Sequence, residues 1–354
     1  MTLPTVALPQ AAPRSAGAGP GRARPRSLPL VTLYLTERCN SRCVSCDYWR
    51  HGRQDMSLDA VRRWLPGFAT LGTRVILFSG GEPLLHPQWP AIAQLLRAQG
   101  LELWLLTAGL SLAKHAEQVS VCFASVTVSL DGTCPATYAA IRGLDAFDTV
   151  CEGIRALAHR GVPVGVRVTV QRANYLELPR FVTLARECGA ASVSFLAADV
   201  SNPHAFGRQL PGGFADDIAL RADDLPALEG VLERMERDQA ADFESGFIAE
   251  SPAKLRRILA YYRALCGRGA FPPVRCNAPE FSAVIEAGGA LRPCFFIPGP
   301  GVLARDDLAQ ACDDPALRAL RADIAAQRRG ECARCVCSMW RELDAPADAW
   351  GARA

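Results

Sequence analysis

No run of this chain approaches the ~18 uncharged apolar residues of a membrane-spanning helix, and the N-terminus has no apolar signal core. Membrane insertion and export are both unsupported, and a reducing cytoplasm is the expected setting. An excess of one charge is equally lacking. The formal net charge is +3, and four arginines, Arg14, Arg22, Arg24 and Arg26, lie in an N-terminal stretch without an acidic residue, so the remaining body is close to neutral. Affinity for nucleic acid rests mainly on neutralising phosphates, and only that tail has the charge for it. No nucleic-acid partner is indicated. Nor is there an internal repeat longer than a strand–helix unit, or a low-complexity segment beyond residues 1–28. The Pro, Ala, Gly and Arg content of that segment reads as a disordered extension outside the fold.

Cysteine, by contrast, is plentiful, with 14 in 354 residues. A chain this long buries enough core to stand without disulfides, and in a reducing compartment closely spaced cysteines bind metal or do redox chemistry. From Leu30 onward, short aliphatic runs alternate with helix-length segments, the pattern of βα units on a parallel sheet. Six strands are expected, at Val31–Leu35, Arg74–Phe78, Glu102–Leu106, Ser125–Leu130, Val164–Val170 and Ser192–Leu196. Helices are expected between them, the clearest over Phe147–Arg160 before Gly161, another over Leu176–Cys188, and a first over Leu58–Thr70 that Pro66 should shorten or kink. After Leu196 the rhythm changes. A polar stretch from Ser201 to Asp217 precedes two helices, Leu225–Asp238 and Pro252–Leu265, the second capped by Ser251. A hairpin then follows, Phe281–Glu286 and Ala290–Phe295 around Gly288 and Gly289. The expected organisation is a tail over 1–28, a barrel over 29–200, linking helices over 201–265, a cysteine-rich domain over 266–345 and a tail over 346–354.

Directly after the first strand come Cys39, Cys43 and Cys46, spaced by three and two residues on a loop. Three thiolates leave one iron of a cubane cluster open to another molecule. A closed zinc site needs a fourth ligand, which His51 supplies on count alone. The position favours catalysis, because in strand–helix barrels the loops after the strands hold the chemistry. This CxxxCxxC loop resembles that of the radical S-adenosylmethionine (SAM) superfamily, whose members bind a [4Fe-4S] cluster by three cysteines and let SAM chelate the fourth iron.

The resemblance extends to later strand ends. Gly80-Gly81-Glu82-Pro83 is similar to the family's GGEP motif, which implies contact of the Gly80 and Gly81 backbone and of Glu82 with the SAM amino group. Ser129 and Asp131 in Ser-Leu-Asp-Gly, after the fourth strand, are implied contacts to the ribose and carboxylate of SAM, with an Asp-Gly turn as the alternative for Asp131. Arg142, in a segment ending Arg-Gly, is either a carboxylate partner or an exposed helix-end arginine. Arg167 alternates with valines on the fifth strand, which turns it to one face as a cofactor or substrate ligand or as a buried structural ion. One departure stands out. Ser45 occupies the position before the third cysteine where many relatives carry a bulky side chain against adenine, and Tyr48 and Trp49 nearby are expected to pack in the core.

A second constellation comprises Cys276, Cys294, Cys332, Cys335 and Cys337, with Cys266 to spare. It resembles the C-terminal extension of SPASM/twitch radical SAM enzymes. That implies one auxiliary [4Fe-4S] cluster on Cys276, Cys294, Cys332 and Cys335, Cys337 being able to replace Cys335. The same spacings suit structural zinc. Cys122, Cys134, Cys151, Cys188 and Cys312 read as small buried hydrophobes.

The fold implied is α/β, a partial (β/α)6 radical SAM barrel with a small C-terminal α+β iron–sulfur domain of twitch/SPASM type. The activity implied is reductive cleavage of SAM to a 5′-deoxyadenosyl radical and hydrogen abstraction from a substrate, with electrons from a donor such as flavodoxin or ferredoxin. A small molecule or a cofactor or natural-product precursor is the favoured substrate, since the short N-terminal tail cannot fold a peptide-recognition domain. Maturation of a ribosomally made peptide is the alternative, and a non-catalytic iron–sulfur electron carrier the alternative of another class. Asp199 and His204, past the sixth strand, are offered as second-step bases, with loop solvation as their plain reading.

Overall fold

A computed structural model describes residues 27–205 and 215–342. Nearly all of the N-terminal extension, the tail read as 346–354 and part of the polar stretch after the sixth strand lie outside the described residues. The chain alternates β1 (Leu30–Thr36), α1 (Leu58–Thr70), β2 (Val75–Gly80), α2 (Trp89–Arg97), β3 (Glu102–Thr107), α3 (Leu112–Cys122) and β4 (Ser125–Ser129). Two helices follow, α4 (Pro135–Arg142) and α5 (Phe147–Ala158), then β5 (Val164–Val170), α6 (Leu178–Glu187) and β6 (Ser192–Ala197). All six strands pair in parallel and in sequence order, which makes the partial (β/α)6 barrel.

Each strand divides its residues between two environments. On β5, Val164, Val166, Val168 and Val170 are buried beneath the helices, and Gly165, Arg167 and Thr169 are half-buried on the lumen side. β4 repeats this with Val126 and Val128 outward and Thr127 and Ser129 inward. The β-branched outer row fits a pleated surface covered by helices, and its burial supplies the hydrophobic stabilisation.

Two expectations of local structure are corrected. Pro66 does not shorten α1, which runs through it over the full expected span. Pro66 lies on the exposed face, as does Arg62, whose carbonyl loses its helical partner and can take water instead. The sixth helix begins later than expected, because Tyr175–Glu177 form a 3-10 turn and Pro179 starts α6 proper.

Beyond β6 come α7 (Ala215–Ile218), α8 (Leu225–Asp238), α9 (Ala240–Glu244) and α10 (Pro252–Leu265), the last capped by Ser251 Oγ accepting from Lys254 N. The C-terminal region adds α11 (Ala278–Phe281), β7 (Ser282–Ile285), β8 (Leu291–Arg292), α12 (Leu308–Cys312), α13 (Pro315–Ala325) and α14 (Gly330–Ala333). Its hairpin is shorter than expected and does not stand apart. β7 pairs in parallel with β1, so one eight-stranded sheet runs β6-β5-β4-β3-β2-β1-β7-β8.

Tyr262 of α10 ties the helical layer to the sheet. It is fully buried, donates its hydroxyl to Val170 O at 2.6 Å and accepts from Ala198 N at 3.2 Å. Neighbouring Tyr261 accepts from Val200 N, so the Tyr-Tyr pair is packing with a polar tip. Tyr262→Phe is expected to lower unfolding free energy by about 1–2 kcal/mol. Urea denaturation should show it as a lower midpoint at unchanged slope.

Candidate active site

The loop after β1 is gripped at two points. On one flank, Gly81 N donates to Thr36 O at 2.8 Å and Glu82 N to Arg38 O at 2.7 Å, and a Cβ on Gly81 would overlap the Arg38 carbonyl. On the other, Arg42 N donates to Arg142 O and Val44 N to Ile141 O, both at 3.0 Å. Gly143, at φ +74°, packs so closely that a Cβ there would overlap the Arg42 carbonyl. The close approach that two sequence motifs permit is therefore to the cysteine loop itself.

Between these grips stand Cys39, Cys43 and Cys46, all half-buried, with Ser41 N donating to Cys39 Sγ at 3.5 Å. Burial pushes the thiols up, Cys39 to about 11, and Cys43 and Cys46 above their ordinary range as well. Arg142 opposes this. It is buried at the end of α4 rather than exposed, and its charge attracts Cys43 foremost and Asp131 next. Its Nη1 lies 3.0 Å from Asp131 Oδ2, and Thr169 N donates to Asp131 Oδ1 at 2.7 Å. Asp131 is thus more than a turn residue, because its carboxylate joins α4 to β5.

The loop's donor set fits a three-cysteine iron–sulfur cluster. Asn40 Oδ1, Ser41 Oγ and Trp49 Nε1 are buried without a hydrogen-bond partner, and buried polar atoms in folded proteins are nearly always paired. Ser41 Oγ and Trp49 Nε1 can donate, and with three thiols on a loop held by its own backbone they suit a group that brings its own charge and acceptors, while Asn40 Oδ1 can only accept. Among the described residues no three His, Cys, Asp or Glu side chains are placed to chelate one metal ion. A cubane, whose thiolates bind different irons, makes no such demand.

Glu82 is fully buried and accepts three hydrogen bonds, from Leu84 N and Thr107 Oγ1 at Oε1 and from Ala108 N at Oε2. Burial raises its pKa. A carboxylate has roughly four lone-pair sites, so about one acceptor position is left for a cationic group. Gly80 and Gly81 sit beside it at the end of β2. Ser129 is half-buried at the end of β4, in register with Arg167. Arg167 Nε donates to Ser194 Oγ at 2.6 Å.

The second set of cysteines converges. Cys276, Cys294, Cys332, Cys335 and Cys337 line one cavity, walled by Leu30 and Thr32 of β1 and Ser282 and Val284 of β7. Burial raises the thiols of Cys294, Cys332, Cys335 and Cys337, Cys332 to about 11. Cys266 is not in that wall, and its thiol donates to Leu220 O. The five-thiol wall fits an auxiliary iron–sulfur cluster with one cysteine in excess. The two loops also touch through Tyr48, which meets Tyr34 edge-on at 5.6 Å and lies 3.2 Å from Arg292 Nη1 of β8. Trp49 lies under Arg50, with the guanidinium 3.9 Å from its ring centre.

Other readings resolve plainly. Asp199 Oδ1 accepts from Ser201 N and Asn202 N, so it shapes the turn after β6 rather than being solvated. His204 is exposed, and its backbone N–H donates to Asn202 Oδ1. Of the scattered cysteines, Cys122, Cys151, Cys188 and Cys312 are buried, but Cys134 is exposed at the N-terminus of α4. Sequence reasoning missed Thr107 and Ser41. An orphan hydroxyl flanked by cysteines was visible in Cys39-Asn40-Ser41, whereas the reach of Thr107 to Glu82 needed the strand pairing.

Gly143→Ala is expected to cost about 1–2 kcal/mol from its left-handed backbone alone. The overlap with Arg42 should also unseat the loop. The variant should therefore retain less iron at the first site than Gly143→Asn, whose side chain tolerates that backbone but meets the same overlap, only if strain contributes beyond sterics. Iron assay of both variants against wild type checks the grip, and full iron in both would reject it.

The family model described as Radical SAM superfamily matches residues 33–184. Fe-coproporphyrin III synthase of Methanosarcina barkeri is 31% identical over 167 residues, covering 45% of this chain and 41% of that protein. GTP 3′,8-cyclase of Chlorobaculum tepidum is 30% identical over 214 residues, covering 58% of this chain and 64% of that protein. The match thus spans less than half of the first relative and under two thirds of the second. Among solved structures, anSMEcpe with bound AdoMet and a peptide aligns with a TM-score of 0.62 at 17% identity over 90% of this chain and 92% of that one. Streptococcus suis SuiB bound to precursor peptide SuiA aligns at 0.59 and 13% identity over 84% of this chain and 67% of that one. These likenesses bear on the fold, and they run through the cysteine-rich C-terminal region as well as the barrel. Residues 33–184, the barrel, match the radical SAM superfamily model and form a radical SAM domain.

Proposed function

We propose that this chain is a radical SAM oxidoreductase acting on a small molecule or on a cofactor or natural-product precursor. The observation that carries the reading is the three-thiol loop clamped between the Gly81 turn and the Arg142–Gly143 corner, facing the same sheet as a cavity with five more thiols. A [4Fe-4S] cluster with SAM on its open iron supplies one-electron cleavage to a 5′-deoxyadenosyl radical, which abstracts hydrogen from substrate. Cys39, Cys43 and Cys46 would hold that cluster, and Arg142 would balance the charge of the thiolates. Glu82 would accept from the amino group of SAM, with the Gly80 and Gly81 backbone beside it, while Ser129 would contact its ribose or carboxylate. Asp131 would fix Arg142 and the Thr169 backbone rather than bind directly.

Cys276, Cys294, Cys332 and Cys335 would hold the auxiliary cluster, with Cys337 as the replacement for Cys335. A barrel over 29–200, linking helices over 201–265 and a cluster domain over 266–345 describe this division, although the pairing of β7 with β1 makes the two functional regions share a sheet. A donor such as flavodoxin or ferredoxin would supply the electron, in the cytoplasm. No helix among the described residues is long and apolar enough to cross a membrane. The names of the curated relatives, a porphyrin synthase and a nucleotide cyclase, support the small-molecule reading. Peptide maturation is the second reading, supported by two fold neighbours solved with peptides. An electron carrier would have no use for the buried, nearly saturated Glu82.

Anaerobically reconstituted protein is expected to contain about eight irons per chain. With dithionite and SAM it should release 5′-deoxyadenosine, and the triple variant Cys39→Ala, Cys43→Ala, Cys46→Ala should release none and hold about half the iron. Chromatography and iron assay decide this, and wild-type protein that binds iron but never forms 5′-deoxyadenosine would return the carrier reading.

A further inference from the structure

The lumen wall formed by β4, β5 and β6 is built from small polar side chains. Gly165 lies between Thr127 and Ser192, and one layer on, Arg167 lies between Ser129 and Ser194 in strand register. Closed strand–helix barrels fill this space with bulky branched residues. Here the only long side chain in the two layers is a guanidinium. Its Nε is spent on Ser194, whose hydroxyl also lies 3.3 Å from Val166 O. No carboxylate among the described residues comes within ion-pair distance of Arg167, and neither of its Nη nitrogens has a hydrogen-bond partner there. The acid facing it, Glu250, is committed elsewhere, with Oε2 accepting from Phe195 N at 2.8 Å and Oε1 3.9 Å from Lys254 Nζ.

Arg167 is half-buried with its Nη pair open to the lumen, and a guanidinium fork matches carboxylate or phosphate in two parallel hydrogen bonds. Its neighbours fix where that anion would sit. Arg167 stands in register with Ser129 at the end of β4 and with Ser194 of β6, on the lumen face of the sheet. We propose that Arg167, flanked by Ser129 and Ser194, anchors a carboxylate or phosphate group of the substrate at the lumen wall. This assignment rests on the radical SAM reading for the identity of the site and adds the chemical class of what enters it.

The test uses the full-length, anaerobically reconstituted protein and two probes, tripolyphosphate and tricarballylate, titrated calorimetrically with SAM present. Wild type is expected to bind at least one of them, and which one assigns phosphate or carboxylate. Arg167→Gln should weaken that binding at least tenfold, and Arg167→Lys, keeping charge without the fork, should fall between the two. Iron content and the cluster EPR spectrum, measured alongside, establish that the variants are folded and loaded.

Three results would overturn the proposal. One is equal anion affinity in wild type and Arg167→Gln, or no anion binding by wild type. Another is a loss confined to SAM affinity, which would make Arg167 a partner of the SAM carboxylate. The third is an altered auxiliary-cluster EPR signal with anion affinity intact, which would make it a counter-ion of the cluster. The two readings fail separately. Anion binding that depends on Arg167 in protein forming no 5′-deoxyadenosine would leave the anchor and remove the radical chemistry, and the reverse pattern would do the opposite.

Discussion

The seating of the cysteine loop is the constraint on which the rest of the site depends. A loop carrying three thiols gains little from hydrophobic burial, and each thiol it buries resists ionisation. Its conformation therefore has to come from backbone hydrogen bonds to rigid elements. The ends of β2 and α4 provide these at Thr36, Arg38, Arg42 and Val44. Both anchors require a residue without a side chain at the point of closest approach, and Gly81 and Gly143 stand there. The two glycine-containing motifs are thus parts of one device, although one stands after a strand and the other after a helix far along the chain.

Charge is arranged on the same scaffold. Arg142 is buried, which is unfavourable for any cation without a partner, and Asp131 answers it at 3.0 Å. A buried pair of this kind adds little net stability against an apolar alternative, but it fixes geometry, since removing either partner strands the other. Asp131 has a second engagement with the Thr169 backbone, so the guanidinium is positioned by β5 as well as by its own helix. The positive end of the pair is thereby presented to Cys43 and Cys39, where thiolate charge has to be supported.

Much of this was legible in the sequence, and what escaped did so for physical reasons. Alternation of valines with polar residues gave β5 its limits to the residue, and the cysteine spacing and the Gly-Gly-Glu-Pro run located the first site. Arg142 could not be assigned as buried or exposed, because helix periodicity does not say whether a helix end abuts another loop. Pro66 does not shorten α1, since the cost of a proline depends on whether the freed carbonyl meets water, and that is a property of the helix's exposed face. The hairpin was found, but its pairing with β1 was not, as nothing local marks a partner about 250 residues away in the chain. The convergence of five cysteines on one cavity was likewise a matter of tertiary contact, and Cys266, indistinguishable by type, falls outside it.

That pairing determines how the two cysteine sites relate. β1 carries the first cysteine loop at its C-terminal end and contributes Leu30 and Thr32, near its start, to the wall of the second cavity. A strand advances about 3.3 Å per residue, so the start and end of β1 are held at a fixed distance by one rigid element. A separate domain on a flexible linker would let this distance vary, whereas a seventh strand hydrogen-bonded to β1 does not. The gap is lined across the lumen by the small residues of β4 to β6. The fixed relation of the two cysteine sites follows from how two strands pair, and the small side chains of β4 to β6 leave the lumen between the strand ends open.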